Sequence, residues 1–110
     1  MNIQHKGLAQ GKWFEMSLVE QLGNVGSEVS RAINWKNKNN LSNSRQAFFR
    51  ALELLEFTIS DKKNLSRLKE ITRMRETLSD FFLGDNQFKS NDASWQKYFG
   101  YFAIAARKNR

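Results

Sequence analysis

Apolar side chains recur at intervals of three and four residues along four successive stretches of this chain. An α-helix turns that spacing into a continuous stripe, whereas the alternation of a strand cannot accommodate it. From about Trp13 to Trp35 the stripe is Phe14, Leu18, Leu22, Val25, Val29 and Ile33. From about Ser42 to Ile59 it is Phe48, Leu52, Leu55 and Ile59, flanked by Ala47, Ala51 and Leu54, with Ser42 or Ser44 as the N-cap. From about Lys62 to Leu83 it is Leu65, Leu68, Ile71, Met74, Leu78 and Phe81, with Asp61 placed to cap the start and Gly84 placed for a left-handed stop. From about Asp92 to Arg107 it is Trp95, Phe99, Phe102 and Ala106. No proline interrupts any of them.

The connecting stretches, residues 36–43, 60–64 and 84–92, are rich in Asn, Asp, Ser and Gly, which compete locally for backbone hydrogen bonds and form turns. Four amphipathic helices on short loops predict an all-α fold, an up-down-up-down four-helix bundle over residues 13–110 preceded by a flexible leader at 1–12. At 110 residues, 40% of them hydrophobic, the chain has the material for one packed core. Gly23 and Gly26 form a narrow small-residue strip with Ser27 and Ser30; either the helix is locally soft there or, as we favour, a neighbouring helix packs closely.

Composition narrows the chemistry. Cysteine is absent, which excludes disulfides and thiolate zinc sites, and no apolar run approaches the roughly 20 residues of a membrane span. The N-terminus lacks the apolar core of a signal peptide, so a cytoplasmic setting is expected. A di-iron bundle needs Glu-x-x-His pairs, but Glu20, Glu28, Glu53 and Glu56 have no histidine three residues on, and the single His5 lies in the leader. Ser17, Ser27 and Ser30 have no helical histidine to serve as base. The pair Gly23 and Gly26 follows no strand and precedes no Gly-Lys-Ser/Thr, so it is not a phosphate loop. Neither an enzyme signature nor a cofactor or metal site is expected.

Two charged constellations remain. Arg75 sits at the edge of the third stripe, where it could meet Glu20 or Glu28 in a half-buried network that sets helix register. Lys62, Lys63, Arg67 and Lys69 open the third helix after a short turn, as a recognition helix would, in a chain of net charge +7. That charge is spread along the chain (+2 over residues 1–41, +2 over 42–84 and +3 over 85–110), and six acids dilute the middle segment.

Apolar surplus offers a further signal. Trp13, Trp35, Phe49, Phe57, Phe88 and Tyr101 lie off or beside the stripes, and Phe49 with Phe57 suggests a second apolar face on the second helix. A homodimer, or a docking groove for another protein, accounts for such a face.

The run Gly11, Lys12, Trp13, Phe14, Glu15, Met16, Ser17, Leu18, then Glu20, Gln21, Leu22, Asn24 and Gly26, Ser27, Glu28, Val29, resembles the opening of a family of short, uncharacterised prokaryotic helical proteins. Arg50 to Leu54, Leu68 to Ile71 and Ala105 to Arg107 continue the likeness. The resemblance implies the helical fold and brings no activity with it. A looser architectural likeness is to HEPN-type bundles, whose ribonuclease motif, an arginine followed four to six residues later by a histidine, is absent because no histidine follows any arginine. The expected function is that of a non-enzymatic protein–protein interaction module. RNA or DNA binding through the start of the third helix and the basic C-terminus is the alternative.

Overall fold

The computed structural model describes residues 11–108, so the leader expected at 1–12, and with it His5, lies outside the described residues except for Gly11 and Lys12. The described chain is all-helical. Its elements are α1 (Trp13–Glu15), α2 (Leu18–Asn37), α3 (Leu41–Ser60), a 3₁₀ segment (Lys62–Arg67), α4 (Leu68–Leu83) and α5 (Asp92–Lys108).

The first expected helix is broken in two. Met16 and Ser17 are extended, and Ser17 caps α2: its hydroxyl accepts from the Glu20 amide (3.2 Å) while the Glu20 carboxylate accepts from the Ser17 amide (3.1 Å). The break turns α1 so that Trp13 is fully buried and Phe14, expected on the stripe, is 39% exposed.

The third expected helix is broken as well. Asp61 caps a 3₁₀ segment, accepting from the Lys63 amide, and the α-helix begins only at Leu68. Leu65 is therefore outside the core, 66% exposed. Geometry alone forbids its place in the stripe: nine residues separate Leu65 from Met74, and at about 100° each they end on opposite sides of a helix.

Asn40, not Ser42 or Ser44, caps α3, its side chain accepting from the Asn43 amide; Ser44 is buried and donates to the Ala32 carbonyl (2.8 Å) across the α2–α3 turn. Gly84 is extended, not left-handed (φ −104°, ψ −157°), and the left-handed residues of the α4–α5 loop are Asn86 and Lys89. That loop is tied down, because the Asp80 carboxylate accepts from the amides of Gln87 (2.9 Å) and Phe88 (3.0 Å).

Helices α2 and α3 form the centre. Helix α5 packs on α2 and α4 packs on α3. The core collects Leu22, Val25, Val29 and Ile33 from α2, Phe48, Ala51, Leu54 and Leu55 from α3, Ile71, Met74 and Leu78 from α4, and Trp95 and Phe99 from α5. The close approach expected at the small-residue strip occurs at Gly26, where an added Cβ would stand 2.6 Å from the Phe99 Cβ. At one end Phe48 stacks on Phe82 (4.8 Å between centroids), and Lys36 binds Asp92 (2.7 Å) while lying 4.4 Å above the Phe81 ring, which joins α2 to both α4 and α5.

Candidate functional site

The charged residues expected to converge do not. Arg75 donates to Glu56 of α3 (2.6 Å), Glu28 binds Arg31 (3.1 Å) and Arg50 (2.9 Å), and Glu20 belongs to the Ser17 cap. Arg75 reaches α3 because α4 packs there, whereas Glu20 and Glu28 lie on α2, whose other long neighbour is α5.

A buried polar network does exist, at the N-terminal end of α2. Gln21, fully buried, donates to the Trp13 carbonyl (3.0 Å) and to Asp61 (2.9 Å), and accepts from Asn64 (2.9 Å). Asn64 also donates to the Thr58 carbonyl (3.0 Å), and Lys63 donates to Asp61 and to the Phe14 carbonyl. Burial pushes the Asp61 carboxyl up, but hydrogen bonds from Lys63 and Gln21 outweigh it and hold the group below its ordinary value. The network pins α1 and the α3–α4 elbow to α2. Sequence reasoning passed over Gln21 and Asn64 because neutral amides carry no pattern; the one available signal was Gln21 adjoining Leu22 on the buried face.

Of the four basic residues at the start of the third segment, Lys63 is held by Asp61, and Arg67 is paired with Glu70 (2.7 Å). Lys62 and Lys69 are exposed and carry no ion pair among the described residues. The cluster is thus half neutralised from within.

The apolar surplus is placed differently from the expectation. Trp13 is core, and of the two rings expected to form an apolar face on α3, Phe57 is half-buried against the core while Phe49 is 39% exposed. The most exposed ring, Tyr101, is on α5. Because α4 packs on α3 and α5 on α2, the two outer helices face each other across a groove of about 370 Å³, lined by Glu70, Arg73, Met74 and Thr77 of α4, Ser94, Trp95 and Tyr98 of α5, and Ser90 of the loop. A contiguous apolar depression of about 380 Å³ continues it along α5 past Lys97, Tyr98, Tyr101 and Phe102. Tyr101 is 77% exposed, and Ile104, one turn on, is 52% exposed.

Trp95, Tyr98 and Phe102 on the α5 wall are tied into a ladder of rings through and beside the buried Phe99: Trp95 to Phe99 at 5.8 Å, Tyr98 to Phe99 at 5.2 Å and Tyr98 to Phe102 at 5.3 Å. Edge-to-face and stacked pairs of this kind contribute about 0.5–1.5 kcal/mol each beyond their burial, so the wall is preformed. Burial, with the Glu70 carboxylate beside it, raises the Tyr98 phenol to about 12 against a smaller opposing pull from Arg67. Tyr98 is accordingly a neutral donor at ordinary pH. The groove hydroxyls are engaged within the chain, Thr77 with the Arg73 carbonyl (2.9 Å), Ser94 with the Asn91 carbonyl (2.8 Å) and Ser90 with Asn86 (3.3 Å).

No protein-family model, curated protein or solved structure matches this chain. Its functional reading therefore rests on the groove and the charges around it. Among the described residues no three His, Cys, Asp or Glu side chains gather as metal ligands, and no helix is long and apolar enough to cross a membrane.

Proposed function

We propose that this chain is a non-enzymatic protein–protein interaction module: an up-down-up-down arrangement of its four long helices whose α4–α5 seam is left open for a partner or a second copy. The observation that carries the reading is the continuous apolar surface from Met74 and Trp95 to the exposed Tyr101. An apolar strip held in place by a stacked aromatic ladder is costly to leave in water, and covering it is the simplest use for it. The proposed setting is cytoplasmic, in keeping with a chain that has no cysteine. The resemblance to short prokaryotic helical proteins is compatible with this reading and adds no activity to it.

RNA or DNA binding through Lys62, Lys63, Arg67 and Lys69 is the second reading, favoured by the net charge of +7 and weakened by the acids that hold Lys63 and Arg67. One experiment separates the two. The chain is purified at native levels from its source cell, as wild type and as Tyr101→Glu, and its companions are identified by mass spectrometry and by absorbance at 260 nm. A protein companion, or a dimer, that Tyr101→Glu releases supports the module. Co-purifying nucleic acid that is indifferent to Tyr101→Glu and dissociates steeply with salt supports the alternative instead.

A further inference from the structure

From the groove's charge and the scarcity of unpaired hydrogen-bonding groups on its floor we infer that its occupant is an acidic amphipathic helix of another protein. The inference rests on the interaction-module reading and adds the chemistry of the partner. The cations that line the groove are not balanced. Glu70 is taken up by Arg67 (2.7 Å), which leaves Arg73 on the α4 rim and Lys97 on the α5 rim with no ion pair among the described residues. An apolar floor between two cationic rims is complementary to a helix with an apolar stripe flanked by Asp or Glu. A second copy of this chain, itself at +7, brings net repulsion to the same rims.

The occupant's backbone conformation follows from the hydroxyls. Thr77, Ser90 and Ser94 are already hydrogen-bonded within the chain, and the backbones of α4 and α5 are committed to their own helices. A strand or loop laid in the groove would bury a run of amide and carbonyl groups with little beyond the unpartnered Trp95 indole N–H to pair them. A helix satisfies its own. The lining from Glu70 to Thr77 runs about 10 Å along α4 and that from Ser94 to Phe102 about 12 Å along α5, so two to three turns fill it.

The test uses the full chain, isotope-labelled, and two helical probe peptides of about 14 residues. They have the same leucine stripe at three- and four-residue spacing, one with glutamate and the other with lysine at the remaining positions. The expected result is saturable shifts of the Met74, Trp95 and Tyr98 resonances with the glutamate peptide, at an affinity about tenfold above that for the lysine peptide. The preference should reverse in Arg73→Glu/Lys97→Glu, whose exposed positions leave the circular-dichroism spectrum unchanged. Equal binding of both peptides in the groove overturns the acidic partner and leaves the interaction module standing. Failure of both peptides with a chain that sediments as a dimer, and as a monomer after Tyr101→Glu, overturns it in favour of a second copy. Failure of both with a monomeric chain overturns the groove as an interaction site altogether.

Discussion

Asp61 shows how much one side chain can decide. It starts the 3₁₀ segment, receives Gln21 from α2 and Lys63 from its own turn, and is 7% exposed. Its carboxyl titrates below the ordinary 3.8 in the folded chain. The stability it supplies is therefore complete above that ordinary value and is lost as pH falls through the lower folded value. Asp61→Asn, measured by urea unfolding, should destabilise the chain by about 2 kcal/mol at pH 7. The gap between variant and wild type should close as pH drops below 4. A gap that persists unchanged at pH 2.5 would show that the charge is not what holds the elbow. The role of Asp61 as a cap was readable beforehand, since an acid stands just ahead of a helical segment. Its partner Gln21 was not, because the two are 40 residues apart and meet only when α2 and the elbow pack.

At the scale of helices, the periodicity located every long one among the described residues and misjudged where two of them start. The Ser17 and Glu20 capping box was present in the sequence, but the four-residue step from Phe14 to Leu18 read as continuity. Likewise Leu65, Leu68 and Ile71 are spaced by three, which suits the 3₁₀ segment and slides off an α-helical face. The packing of α5 on α2 was foreshadowed by the glycines, and it separates them sharply. Gly26→Ala places a methyl against Phe99 and should lower stability by about 1–2 kcal/mol after its gain in helix propensity. Gly23→Ala meets only ordinary contacts, 3.8 Å to the Phe102 carbonyl, and should be neutral or stabilising by up to about 1 kcal/mol. Thermal unfolding of the pair checks both, and equal effects would contradict the close approach at Gly26.

Across the whole molecule, the decisive feature is that each outer helix has a different central neighbour. Helices α4 and α5 are then bridged mainly by side chains, among them Tyr98 beside Glu70. That bridge has a signature in alkali. The folded phenol ionises near 12 while an unfolded one does so near 10, so its contribution is whole below pH 10 and disappears as pH rises toward 12. Denaturant midpoints should fall over that interval, and Glu70→Gln should bring the high phenol ionisation, read at 295 nm, down toward the ordinary value. A phenol titration with nothing near 12 would remove Tyr98 from its buried place beside Glu70.

Spacing of apolar residues, absence of proline and turn-rich joints were enough to make the described residues helical, to number the long helices among them and to place most of the core. Those properties are local, since a helix aligns residues three and four apart whatever it packs against. Which carboxylate meets Arg75, which lysines stay unpaired and which aromatic rings stay outside depend on neighbours distant in sequence. Once α4 chose α3 and α5 chose α2, Arg75 went to Glu56, Lys36 to Asp92, and Tyr101 stayed outside. Packing, not periodicity, opened the groove.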